Sequence, residues 1–170
     1  MILLASGIDL PAIASALQLE TLLRLVTAVF LGAVVGMERE LHGKQAGLRT
    51  HTLICLGAAL LTVMSIRIPA PYAEAYRVGD VSRIASNIAT GVGFLGAGVI
   101  LHTRGHIKGL TTAATIWVVA AIGVAAGAGE YVPALGTAVL VLVVLVPLRW
   151  LERRAESRIA GHDLNDDEPA

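Results

Sequence analysis

Long apolar runs broken by short polar strings set the pattern of this chain. The runs cover about 19–37, 50–68, 84–101, 110–128 and 132–151, each about 17 to 20 residues and therefore able to cross a roughly 30 Å hydrocarbon core as a helix. Hydrocarbon offers no partner to backbone polar groups, so a spanning run of this length has to be helical. The breaks carry helix punctuation. Pro69 and Pro71 close the second run, and Asp80 stands ahead of the third at a cap position. Pro133 falls in the first turn of the fifth, where a missing N–H costs little. The expected fold is all-α: a polytopic membrane protein of about five transmembrane helices filling 19–151. Residues 1–18 form a separate N-terminal segment, with 11–17 expected as a short helix lying at the interface. Residues 152–170 are expected as a polar, disordered cytoplasmic tail.

Composition reinforces this reading. The 170 residues are 55% hydrophobic and 15% charged, with a mean hydropathy of +0.73, whereas a soluble domain carries about 25% charged residues. A water-soluble globule is excluded. The N-terminus does not read as a signal peptide, because no Lys or Arg precedes Arg24 and Asp9 and Pro11 interrupt its apolar stretch. A lone cysteine, Cys55, sits inside an apolar run and has no disulfide partner in the chain.

Charge sets the orientation. Arg39, Lys44, Arg49, Arg104, Lys108, Arg149, Arg153, Arg154 and Arg158 fall on one side of the membrane, against Arg67, Arg77 and Arg83 on the other. The positive-inside bias places the C-terminus in the cytoplasm and the N-terminus outside. Trp150 then lies at the inner interface, and Tyr72, Tyr76 and Tyr131 at the outer one.

An internal repeat underlies this topology. Phe30-Leu31-Gly32-Ala33 recurs as Phe94-Leu95-Gly96-Ala97, and Gly47-Leu48-Arg49-Thr50 recurs as Gly109-Leu110-Thr111-Thr112. Ile54 then answers Ile116, and Ala58-Ala59 answers Ala120-Ala121. Runs one and two thus form one helical hairpin and runs three and four a parallel copy of it. Internal repeats of this kind are frequent in transporters.

The third run holds Gly91, Gly93, Gly96 and Gly98. Two readings stand: close helix packing, for which small residues are the usual means, or an unwound stretch lining a polar site. Gly32, Gly36, Gly123 and Gly127 repeat the four-residue spacing in the neighbouring runs. Polar residues near the membrane are the functional candidates, since each is costly there without a role or a partner. Arg24 lies in the outer third of the first run and is expected to snorkel. Asn87 and Thr90 sit one turn apart in the third. Glu38, Arg39 and Glu40 end the first run at the inner face. Arg49 and Thr50 open the second, and Lys108, Thr111 and Thr112 open the fourth. Those helix starts suit an anion or a carboxylate. A salt-bridge lattice fixing the hairpins and a ligand or ion site are both compatible with the cluster. Asp80 and Arg83 belong either to it or to the cap and anchor of the third helix.

Catalytic patterns are missing: there is no Ser/His/Asp arrangement, HExxH or phosphate-binding loop. An enzyme is not expected. His102 and His106 have helical metal spacing, but Gly105 and basic neighbours point to an exposed turn. No cofactor is called for, Mg²⁺ remains open as an ion bound or sensed, and no nucleic-acid module is present.

Several ordered strings resemble the MgtC/SapB family of bacterial inner-membrane proteins: Gly36-Met-Glu-Arg-Glu40, Ala46-Gly-Leu-Arg-Thr50, Asp80-Val-Ser-Arg-Ile84, Gly93-Phe-Leu-Gly-Ala-Gly-Val-Ile100 and Lys108-Gly-Leu-Thr-Thr-Ala-Ala-Thr-Ile-Trp117. The resemblance covers about Leu22 to Leu151. It implies a five-span membrane domain tied to survival in low magnesium and, in some pathogens, to life inside host cells. Members look like regulators of membrane energetics and ion balance, with direct magnesium transport not established. Longer members carry a C-terminal domain resembling an ACT fold, and about 20 residues after the fifth run are too few for one. The expectation is a non-enzymatic regulator that docks on itself, as a dimer by default, or on another membrane complex. The alternative is an oligomeric transporter or channel for a small ion or solute.

Overall fold

The structure, a computed structural model, describes residues 10–67, 81–103 and 106–163. Five helices follow in order: α1 (Leu10–Leu41), α2 (Leu48–Arg67), α3 (Val81–Val99), α4 (Leu110–Ala128) and α5 (Tyr131–Asp163). An antiparallel hairpin of β1 (Leu101–Thr103) and β2 (His106–Lys108) joins α3 to α4. This is the all-α polytopic membrane fold that the apolar runs predict. Leu17–Leu41, Leu48–Arg67 and Leu110–Ala128 are each long and apolar enough to cross a membrane, and Tyr131–Pro147 is a shorter apolar stretch. The helix α3 carries Arg83, Ser86, Asn87, Thr90 and four glycines and is not among those three spans.

Two boundaries differ from expectation. No separate interfacial helix occupies 11–17, because α1 runs unbroken from Leu10, with Pro11 in its first turn, where proline is tolerated. At the other end α5 continues to Asp163, so the disorder expected from residue 152 does not begin there. The segment Leu151-Glu-Arg-Arg-Ala-Glu is rich in strong helix formers, and extending an existing helix avoids the cost of nucleating a new one. The His102/His106 pair is not on a helix. In the β-hairpin Thr103 pairs with His106 and His102 with Ile107, which places the two histidines on opposite strands.

The repeat is visible in the packing. α2 and α4, the second helix of each hairpin, run parallel through the centre of the bundle. They touch where α4 has no side chain: a Cβ on Gly123 would lie 2.3 Å from the Cys55 carbonyl oxygen, and one on Gly127 would lie 2.5 Å from that of Ala59. Small residues of this kind let two backbones meet directly. Around this seam Ala28, Leu31, Val35, Cys55, Val119 and Ile122 form the core. Within the first hairpin a Cβ on Gly32 would sit 2.7 Å from Cys55 Cβ and 3.0 Å from the His51 carbonyl oxygen. Its repeat partner Gly96 meets Ala113, the counterpart of His51, at 3.6 Å. Each copy places the same glycine against the same turn, but the second is looser, 3.6 Å against 3.0 Å at the equivalent carbonyl oxygens.

That looseness decides the two readings of the glycine run. α3 is helical throughout, so the unwound stretch is not formed. Only Gly96 packs on another helix. A Cβ added to Gly91, Gly93 or Gly98 would meet open space, and Phe94 beside them is 81% exposed. Between α2 and α3 a cavity of about 600 Å³ opens, lined by Leu53, Gly57, Leu61, Asn87, Gly91 and Leu95 among others.

Candidate functional site

The buried charge of the bundle gathers at the end that carries the loops. α1 brings Glu38 and Arg39 there, and α2 brings His51; they are 6%, 1% and 0% exposed. Arg39 Nε donates to Glu38 Oε2. His42, one turn further along α1, directs Nδ1 to the Glu38 carbonyl oxygen at 2.7 Å and lies 3.1 Å from Glu38 Oε1. His51 Nδ1 is 2.8 Å from the Gly47 carbonyl oxygen. A carbonyl can only accept, so Nδ1 carries a proton and donates it there. Glu38 and Arg39 lie close enough for both charges to act on this ring. Arg39 Nη2 and His51 Nε2 are buried and have no hydrogen-bond partner among the described residues. Buried polar groups are normally satisfied, which marks these two atoms as unusual.

Glu40 has a different task. Its Oε2 accepts from the Leu48 backbone N–H at 3.0 Å, capping α2 from the preceding helix. Gly47 makes room for this, since a Cβ there would lie 1.6 Å from the carboxylate oxygen. Carboxylates are favourable at such a helix start because its N–H groups are unpaired and its dipole is positive.

The structure therefore divides the predicted set. Glu38 and Arg39 form the buried pair, and Glu40 caps α2 beside them. Arg49 and Thr50 are exposed on the first turn of α2 and stand outside the pair. Lys108, Thr111 and Thr112 surround the start of α4, where Thr112 is buried and Lys108 and Thr111 are exposed. Arg83, Asn87 and Thr90 are exposed along α3 and belong to neither group; Thr90 only returns its hydroxyl to the Ser86 carbonyl. Asp80 lies outside the described residues. His51 was not among the predicted residues. It falls on the inward stripe of α2 with Cys55, Ala58, Ala59 and Thr62, and a polar residue in register with that stripe was the signal for it. His42 and Thr115 were likewise passed over.

Arg24 also departs from expectation. It does not snorkel away from the bundle: Nη1 donates to the Gly127 carbonyl oxygen at 2.9 Å, and Nη2 pairs with Glu20. The C-terminal end of α4, closed by Gly129 in the left-handed conformation (φ 86°), supplies the negative pole it needs.

A resident Mg²⁺ does not fit the buried cluster. That ion wants several oxygen ligands in an octahedron, while the Glu38 carboxylate is already engaged by a buried guanidinium. Among the described residues no three His, Cys, Asp or Glu side chains gather as a metal site.

A sequence model of the MgtC family matches residues 25–154, from α1 into α5, including both hairpins and the buried cluster. The chain belongs to the MgtC family. It is 48% identical over 127 residues to YhiD of Escherichia coli K12, covering 74% of this chain and 59% of that protein. It is 40% identical over 137 residues to SapB of Bacillus subtilis, covering 79% and 59%. Against MgtC of Salmonella typhimurium LT2 it is 39% identical over 133 residues, covering 78% and 54%. The chain thus spans less than two thirds of the length of these MgtC-family relatives. No solved structure matches it.

Proposed function

We propose that this MgtC-family chain is a non-enzymatic regulator of magnesium and ion balance in the bacterial inner membrane, acting by lateral contact with other membrane helices. Its working form is a homo-oligomer, a twofold dimer in the simplest case, with the C-terminus in the cytoplasm as the basic loops favour. The link to magnesium comes from the relatives, since YhiD of Escherichia coli K12 is named as a putative magnesium transporter. The mode of action rests on one observation: α3 turns Gly91, Gly93, Phe94 and Gly98 outward with nothing packed on them. The middle of the bundle is meanwhile filled by Val35, Cys55, Ala59, Val119 and Ile122. Small residues on an open membrane face are how helices approach one another closely.

The test pairs two measurements. Purified protein in proteoliposomes is expected to pass no Mg²⁺, K⁺, Na⁺ or H⁺. Gly91→Leu and Gly98→Leu are expected to break the assembly and abolish support of growth in low magnesium, with unfolding temperature unchanged. Selective ion flux through the wild-type protein would overturn the regulator. It would favour the second reading, an oligomeric transporter, for which the unsatisfied Arg39 Nη2 and His51 Nε2 speak.

A further inference from the structure

The repeat sets two equivalent helix starts at the loop end of the bundle, and they are completed differently. Gly47-Leu48-Arg49-Thr50 opens α2 and Gly109-Leu110-Thr111-Thr112 opens α4. Each start leaves backbone N–H groups without an intrahelical partner and a partial positive charge. At α2 the chain supplies its own anion, the Glu40 carboxylate on Leu48 N–H. At α4 it supplies none. The cap residue there is Gly109, at φ 92° and with no side-chain hydrogen bond to the helix. The sequence from Val81 to Gly129 contains no Asp or Glu.

Positive charge stands in place of the missing carboxylate. A cavity of about 440 Å³ opens at this helix start, lined by Lys44 and Gln45 from the first loop and by Lys108, Gly109, Thr111 and Thr112 from the second. The two lysines arrive from different hairpins. Thr112 is only 4% exposed, yet it lines the cavity. Among the described residues its hydroxyl has no hydrogen-bond partner. Its neighbour Thr115 instead returns its hydroxyl to the Thr111 carbonyl at 2.6 Å, and Thr52 on α2 does the same to Leu48 at 2.8 Å. The Thr112 side chain, almost wholly enclosed, thus keeps its hydroxyl available at the cavity wall, where a ligand can accept from it.

We propose that this cavity binds a phosphate group, which completes α4 as the Glu40 carboxylate completes α2. The backbone N–H groups of Leu110, Thr111 and Thr112 point along the helix axis toward it, the Thr112 hydroxyl adds a donor, and Lys44 and Lys108 supply the countercharge. A divalent cation is disfavoured there, because two ammonium groups and a positive helix end face the space. The volume leaves room for the group that carries the phosphate. Its source is either an anionic lipid headgroup, as basic pockets between membrane helices take, or soluble phosphate.

The full chain is purified in a maltoside detergent, which contains no phosphate, and its unfolding temperature is followed against inorganic phosphate and, separately, against phosphatidylglycerol. A rise with inorganic phosphate identifies the free anion as sufficient. A rise with phosphatidylglycerol alone identifies a lipid headgroup. Lys44→Gln and Lys108→Gln are expected to weaken the response about fivefold each and about 25-fold together, with the unliganded unfolding temperature unchanged. Gln45→Glu places a carboxylate beside Gly109, whose Cβ position is 3.2 Å from Gln45 Oε1. This variant is expected to raise the unliganded unfolding temperature and to remove the response. The proposal is overturned if neither ligand stabilises the wild type, or if the double lysine variant or Gln45→Glu responds as strongly as the wild type does.

Discussion

Arg24 and Gly127 are joined by a hydrogen bond of 2.9 Å, from the guanidinium Nη1 of one to the carbonyl oxygen of the other, across 103 residues of chain. A Cβ on Gly129 would lie 3.1 Å from Arg24 Nη2, so the side chain is laid over the left-handed turn that ends α4. A cation near apolar surroundings is thereby matched to a helix C-terminus and to Glu20 together. Arg24→Leu is expected to lower stability by about 1–2 kcal/mol, the upper range for a partly buried charge at a helix end. Arg24→Lys is expected to recover only part of this, because an ammonium does not offer the planar fork that reaches both partners. Unfolding by SDS titration, followed by far-UV circular dichroism, reads both variants.

Burial makes the Glu38–Arg39 pair a folding element whatever its role in function. Removing one member leaves the other buried and unmatched, so Glu38→Gln and Arg39→Met are each expected to cost about 3–5 kcal/mol. The double variant is expected to be more stable than the sum of the two losses predicts. A double-mutant cycle on unfolding free energies checks this, and strict additivity would show that the two side chains do not depend on each other.

The glycines divide into two classes with opposite responses. Gly123→Ala forces a Cβ into the α2 backbone and is expected to cost about 1–3 kcal/mol, as overpacking does. Within one protomer Gly91→Ala meets open space and replaces a poor helix former, so its effect on the fold of the chain is expected to be neutral or stabilising by up to about 1 kcal/mol. Thermal unfolding of the two variants side by side is the measurement. Equal losses would mean that this face of α3 is packed within the protomer itself.

Glu40→Ala removes the carboxylate from the start of α2. A lost helix cap is expected to cost about 1 kcal/mol. Glu40→Gln is expected to fall between, keeping an acceptor without the charge. Denaturant midpoints of the three proteins rank them.

Much of the architecture was legible because it follows from local rules. Apolar runs of membrane length bounded by Pro and Gly placed all five helices, and the limits of α4, Leu110–Ala128, coincide with the run read from sequence. The ends of α1 and α5 were misplaced because polar residues tolerated in a continuing helix look the same as those that stop one. Partnerships were harder. The sequence motif that joins Gly32 to Gly96 does not reveal that one is sealed and the other loose, since contact distance depends on how whole helices tilt. Arg24 was expected to reach for the interface because its partner is a backbone carbonyl a hundred residues away, and carbonyls leave no trace in a sequence. His51 is hard to single out from sequence because it stands within a polar string at a loop, whereas its place is set by the inward stripe of α2.

The same long-range bond bears on biogenesis. During synthesis α1 leaves the ribosome well before α4, and Gly127 is not yet made when Arg24 reaches the bilayer. Until the second hairpin is inserted, only Glu20 on its own helix can offset that cation. A chain halted after α3 therefore carries Arg24 in its first span without the Gly127 carbonyl that receives it in the finished fold.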